Sequence, residues 1–548
     1  VTAVSLPGRR LVALLLLTAI PAAVESVALA AVGFPAAQGF APQATAVWPY
    51  DIFHDLRWIL VYHDTGWLFL AEYLAVIGLR GVLTAVTVAL AWPAEVPRPT
   101  LRSLLGRNTA VAAVAVLILS PWAALSVGAS VVSLSWYVFA SLLPVILLAP
   151  FMQRAGVGPG WWRGLPSIEL FGWPLLNFWL LTLGGALIWT VPNWLNAPTA
   201  ALLGVANGLL WRRTVRAAVL PARRIRWRRV PVAPIMIVLT LLAPAAVRDA
   251  VMVGLGAQRE LQIPIFQQEL PDSVDHAVIV VAGYNSSYAG RPAVDPNVEH
   301  FSYRGLDAQA RPLPYPAAAT HRSLESSTDL LAAQVDAAHR RTGRRVALLG
   351  QSEGAMVVRL FLERHPGSQV DTVLLFSPLL QAGRAYYPPA SEGSGWGFVA
   401  GWLIRALFLG TNVVSSTRED PDEPFVRSLL ENASFWRSQT LCPVPGVRMV
   451  AFMPTASAAD APPGNYAEIP VYQLAGFHGG LLRRGVVHGR LIGFIGGDLL
   501  DRPLREFVFL QRLASAWQAP PLAMSVNPAW GDGGRRSPGF GGRVCHQD

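Results

Sequence analysis

Seven apolar stretches follow one another in the first 250 residues, near 11–33, 67–92, 109–127, 131–151, 172–191, 197–211 and 231–247. A helix crosses the hydrocarbon core of a bilayer with about 20 mostly apolar residues. Most of these stretches reach that length, and 197–211 is the shortest. A chain that begins this way is committed to lipid for its first half. The overall composition agrees, since only 14% of residues are charged, against about 25% in soluble domains. Residues 1–250 are therefore expected to form an N-terminal α-helical transmembrane bundle.

The loops between the stretches carry an orientation signal. Arg9 and Arg10 precede the first stretch, and Arg98, Arg102 and Arg107 follow the second. Arg154 and Arg163 follow the fourth, and the segment "WRRTVRAAVLPARRIRWRR" (211–229) follows the sixth. These are alternate loops. By the positive-inside rule they are cytoplasmic, which puts everything after about residue 250 outside. Residues 34–66, read as an external loop, contain only Arg57 against Asp51, Asp55 and Asp64. The first stretch, with Arg9-Arg10 before it and "ALA" at 28–30, also fits a cleavable signal peptide. Either reading leaves the downstream orientation the same.

The net charge of +10 does not point to nucleic acid. Residues 1–254 hold 18 arginines and 8 acidic residues, and residues 255–548 hold 26 of each. All of the excess therefore lies in the membrane half, not in a basic cleft on a soluble face. Glu25, Glu72 and Arg80 fall in or near the apolar stretches. A charge at that depth marks a function or a buried pair. No chain of further acidic or histidine residues suggests a proton path, which favours pairing.

After residue 255 the apolar runs shorten to strand length. "HAVIVVAG" (276–283), "HFSYRG" (300–305), "RRVALLG" (344–350), "VDTVLLFSP" (370–378), "VRMVAFMP" (447–454) and "IPVYQLAG" (469–476) read as strands. "SSTDLLAAQVDAAHRRTG" (326–343) and "AMVVRLFLERHPG" (355–367) read as helices, the first starting at Ser326 and stopping at Gly343. Strands alternating with helices predict an α/β domain with a mostly parallel sheet.

Within this domain Gly350-Gln351-Ser352-Glu353-Gly354 lies between a strand and a helix. In that context a G-x-S-x-G pentapeptide forms a sharp turn that presents its serine at the C-terminal edge of the sheet. The two glycines allow the strand and helix to approach. The helix start supplies N–H groups where an oxyanion would form. Serine needs a base to become a nucleophile. Asp460 follows the strand at 447–454, and His478 follows the strand at 469–476, giving the chain order serine, acid, histidine. His478 is expected to take the serine proton and Asp460 to hold the imidazole. Glu468 is the nearest rival acid and His488 the nearest rival base. Glu353 reads as a solvated elbow residue that contributes only its backbone.

These pieces, "VVAGYNSS", "FSYRG", "LLGQSEGAMV", Asp460 and "FHGGLL", resemble the α/β-hydrolase superfamily, more closely its lipase and esterase members. The resemblance covers about residues 260–515. It implies acyl transfer through a serine ester, without a metal or other cofactor, on an acyl-ester substrate that includes lipids. It also implies an oxyanion hole from the backbone N–H groups of Tyr284 and Glu353. The HGGG form of that loop is missing here. The family's cap corresponds to residues 380–446, with the apolar stretch "WGFVAGWLIRALFLG" (396–410). The expected domains are thus 1–250 in the membrane, 255–518 as the hydrolase domain and 519–548 as a Gly/Pro/Arg-rich disordered tail. Cys442 and Cys545 are not in a metal- or redox-type pair, and the sequence leaves open whether they form a disulfide. A membrane acyltransferase with the same triad, or a transporter or sensor carrying an inactive hydrolase fold, are the competing functions.

Overall fold

The computed structural model describes residues 6–132, 134, 138–139, 142–220, 229–254, 263–380, 382–414, 419–431, 441–455, 469–476, 478–498 and 508–518. The expected tail at 519–548 lies outside the described residues.

The first half is helical: α1 (Leu6–Ala31), α2 (Tyr50–Tyr62), α3 (Gly66–Ala91), α4 (Leu101–Val131), α5 (Leu143–Val157), α6 (Ile168–Ile188), α7 (Asn193–Val219) and α8 (Val232–Gly254). Among the described residues, α1, α3, α4 and α6 are long and apolar enough to cross a membrane. The other expected spans are also helices but differ in character. The 15 residues of α5 rise only about 22 Å, short of a hydrocarbon core of about 30 Å. In α7 the hydropathy is lowered by Asn196 and Asn207, which are buried and donate to Gln38 Oε1 and to the Pro42 carbonyl. Polar residues that meet partners inside the bundle are tolerated there. The long helix α1 is packed into the bundle: a Cβ at Gly204 of α7 would lie 2.4 Å from the Thr18 carbonyl oxygen. Gly204 and Gly208 form a small-xxx-small pair that lets the two backbones meet.

The segment 34–66 is not a solvent loop. Pro35–Thr45 is a buried 3₁₀ turn and α2 is largely buried. Arg57, expected in a loop, is 1% exposed and donates to Gln43 and to the Gln518 carbonyl. The charges in the apolar stretches are paired as expected: Arg80 with Asp55 and Asp51, Glu25 with His54 at 2.9 Å, and Glu72 with His63 at 3.0 Å.

The second half is a six-stranded, all-parallel sheet: β1 (His276–Val281), β2 (Val298–His300), β3 (Arg345–Gln351), β4 (Val370–Phe376), β5 (Arg448–Pro454) and β6 (Val471–Leu474), in spatial order 2-1-3-4-5-6. Helices α9 (Leu324–Thr342) and α10 (Glu353–Arg364) cover one face, and α13 (Gly485–Ile495) covers the other. Both faces are buried, which is why the strands read as continuous apolar runs. The second strand is shorter than expected. It ends at His300, and the residues that follow turn inward, with Tyr303 donating to the Ala282 carbonyl. The cap of α9 also differs: Ser323, not Ser326, accepts from the Ser326 N–H, while Gly343 stops the helix at φ +68° as expected. Between β4 and β5 the insertion folds as α11 (Phe398–Val414) and α12 (Pro424–Glu431). Cys442 is disulfide-bonded, and the chain's other cysteine, Cys545, lies outside the described residues.

The last described helix, α14 (Val508–Ser515), leaves the sheet and packs on α6 of the bundle. Beyond it Trp517 is fully buried, stacked on Phe178 at 4.9 Å and donating to Thr182 Oγ1. The end of the segment 255–518 thus packs against residues of the first half.

Candidate active site

In the sheet order, β2 lies to one side of β1 and β3 to the other. The direction of winding reverses at β1/β3, and ligands of open α/β sheets bind at the C-terminal ends of such strands. Ser352 follows β3 there, and Gly283-Tyr284 follow β1. Ser352 has φ 55° and ψ −116°, a conformation that costs a non-glycine residue on the order of 1–3 kcal/mol and clusters at functional sites. Its neighbours explain how the turn closes. A Cβ at Gly354 would lie 2.1 Å from the Val281 carbonyl oxygen, and one at Gly350 would lie 2.6 Å from that of Gly354. The elbow thus requires glycine at both positions for close backbone approach.

His478 Nε2 stands 2.8 Å from Ser352 Oγ. This is hydrogen-bonding distance for a base and the proton it would take. The loop carrying His478 is fixed to the elbow by Gln351, whose Nε2 donates to the Gly479 carbonyl at 3.0 Å. His478 is buried, and burial pushes its pKa down to about 3. The ring is therefore neutral at ordinary pH and able to accept a proton. His488, the rival base, lies on α13 and lines a different cavity from Ser352, with Gln268, Glu269 and Ile492. Asp460 and Glu468 lie outside the described residues.

Glu353 and Tyr284, expected to supply the oxyanion-hole N–H groups, directly follow Ser352 and Gly283 in the chain. Glu353 opens α10, where helix geometry leaves its N–H without an intrahelical acceptor. Gly283 touches the elbow, since a Cβ there would lie 3.0 Å from Ser352 Cβ and 3.6 Å from its Oγ. Tyr284 follows directly, its ring stacked between His321 at 4.7 Å and Phe425 at 5.3 Å. Burial, then the carboxylates of Glu423 and Glu419, hold the Tyr284 phenol well above its ordinary range, so it stays protonated.

The side chain of Glu353 corrects the sequence reading. It is not solvated but fully buried, and neither carboxyl oxygen has a hydrogen-bond partner among the described residues. Burial, reinforced by Glu423 and opposed by Arg322, holds it well above the usual carboxylate range. A helix-start position gives no sign of this, because the layer over α10 is built by residues distant in the chain. Gln351, the second residue of the pentapeptide, is likewise a positioning residue that the motif alone does not reveal.

Comparison with protein-family models, with curated proteins and with solved structures finds no match to this chain.

Proposed function

We propose that this chain is a membrane-anchored serine hydrolase of α/β-hydrolase type that cleaves carboxylic esters. The observation that carries the reading is the 2.8 Å contact between His478 Nε2 and Ser352 Oγ at a strained strand-to-helix elbow. The order of the strands and the site at the winding reversal add support.

In this reading Ser352 Oγ attacks the ester carbonyl while His478 Nε2 takes the hydroxyl proton. The carbonyl oxygen becomes an oxyanion facing the N–H groups of Tyr284 and Glu353. Collapse breaks the bond to the alkoxy group, which leaves as an alcohol with the proton from His478. Water then attacks the acyl-serine, giving its proton to His478. The second collapse releases the acid and returns the proton to Ser352. Asp460 is the proposed partner of His478 Nδ1, holding the tautomer and stabilising the imidazolium. In this reading the sheet domain is extracytoplasmic, which the arginine-rich loops support by the positive-inside rule.

A fluorophosphonate probe added to membranes containing the protein tests the proposal. Labelling at Ser352, lost in Ser352→Ala, is expected. Wild-type protein that takes no label and hydrolyses no activated ester would overturn it.

A further inference from the structure

Resting on that hydrolase reading, we infer that membrane helix α4 forms one wall of the substrate site, and that the substrate is an ester of a long acyl chain lying between α4 and α11. A cavity of about 170 Å³ has Ser352 in its lining. The sheet domain contributes Tyr284, Leu379 and Phe425 to it, and α11 contributes Ile404, Leu407 and Phe408. The remaining wall comes from the end of α4 and the residues just after it, including Ala124, Gly128, Ala129 and Val132. The lining is apolar except for Ser352, Tyr284, Tyr387 and three carboxylates, Glu419, Asp420 and Glu423. An apolar pocket with a few polar groups at the reacting end is what an acyl ester requires.

The α4 wall combines the small residues Ala124, Gly128 and Ala129 with Leu125 and Val131. Ala124 and Gly128 are one turn apart and share a face. Among the described residues a Cβ at Gly128 would meet only Ile404 Cγ1 of α11, at a loose 3.9 Å, so the cavity has room beside this position. Helices that pack without a guest fill such space to crystal-like density. Here α4 and α11 touch and yet leave a gap leading to the serine.

Both helices also meet lipid-compatible surroundings. α4 is apolar enough to cross a membrane and exposes Val114 and Leu117 farther along. On its far side α11 exposes Trp402, Leu409 and Val413. An acyl chain held between these two helices leaves the bilayer without crossing water. Each CH₂ kept out of water then favours long chains over short ones.

The test is the chain-length profile of the detergent-solubilised full-length protein on p-nitrophenyl esters from butyrate to palmitate. Wild type should show a higher kcat/KM for laurate than for butyrate. Gly128→Leu fills the gap and should lower the laurate-to-butyrate ratio about tenfold or more, the scale on which a pocket discriminates by one or two methylenes. Gly128→Ala, the smaller step, should give a lesser shift in the same direction and keeps the test readable if leucine prevents folding. Leu117→Ala, on the exposed part of α4, should keep the wild-type ratio. An unchanged ratio in both Gly128 variants, or an equal loss on all chain lengths, would overturn the inference while leaving the hydrolase reading intact. Wild-type protein inactive on every ester and unlabelled by a fluorophosphonate would instead remove the hydrolase reading itself.

Discussion

Ser352 Oγ and His478 Nε2 lie 2.8 Å apart although 126 residues separate them in the chain. In the proposed mechanism the two act as one unit, so removing either should cost about as much as removing both. Ser352→Ala and His478→Ala should each lower kcat on an activated ester by about 10⁴-fold or more. The double variant should be no slower than the worse single one. Additive losses in the double variant would show that the residues do not work as a pair.

The pH profile reports on the acid proposed to partner His478. Burial pushes His478 down to about 3. A carboxylate at Nδ1 stabilises the imidazolium and raises the pKa from that floor. The base is lost as pH falls through its pKa in the folded protein. With Asp460 as partner, the acid limb of kcat/KM should lie well above pH 3, and Asp460→Asn should move it downward while lowering kcat. A limb that stays in place in Asp460→Asn would transfer the assignment to Glu468.

Glu353 predicts a stability effect independent of turnover. Its carboxyl is buried with no hydrogen-bond partner among the described residues and is held well above its ordinary 4.5. The folded state therefore binds a proton that the unfolded state has released above that value, so the group favours folding at low pH and opposes it as pH rises. Glu353→Gln should match wild type in Tm below about pH 4 and exceed it by a few degrees at neutral pH. A variant less stable than wild type at pH 7 would mean the carboxyl has a partner that glutamine cannot replace.

The arginine-rich loops predict sidedness. A tag at the C-terminus should be reached by protease added to intact spheroplasts, while a cysteine introduced in the 211–229 segment should resist a membrane-impermeant thiol reagent. The reverse pattern would invert the orientation.

The sequence made the sheet legible because each strand is a short apolar run bounded by polar or glycine-containing turns, as in "RRVALLG" before Ser352. The elbow was legible for the same reason, since its meaning depends only on the strand and helix beside it. Ser323 was missed as the α9 cap because Ser323 and Ser326 are both plausible caps locally, and only the N–H that is satisfied distinguishes them. Arg57 in the apparent loop 34–66 was not legible, because its partners Gln43 and Gln518 and the ring of Phe53 are assembled only by folding. The contribution of Gly128 to the cavity was invisible for a similar reason. A glycine in an apolar helix announces no partner, and its neighbour Ile404 lies far along the chain.

Trp517 has a consequence for the order in which this molecule is made. The bundle core contains Trp517 against Tyr50 and Phe178, and Gln43 donates to the Ala516 carbonyl. These partners emerge from the ribosome hundreds of residues before Trp517 does, and chains fold progressively from the N-terminus. A chain truncated after residue 507 should therefore show a first half more readily cut by protease than the full-length protein, and equal resistance would refute the idea. The helices made first therefore wait for this core residue until the sheet domain between has been synthesised, which ties completion of the bundle to synthesis of the sheet.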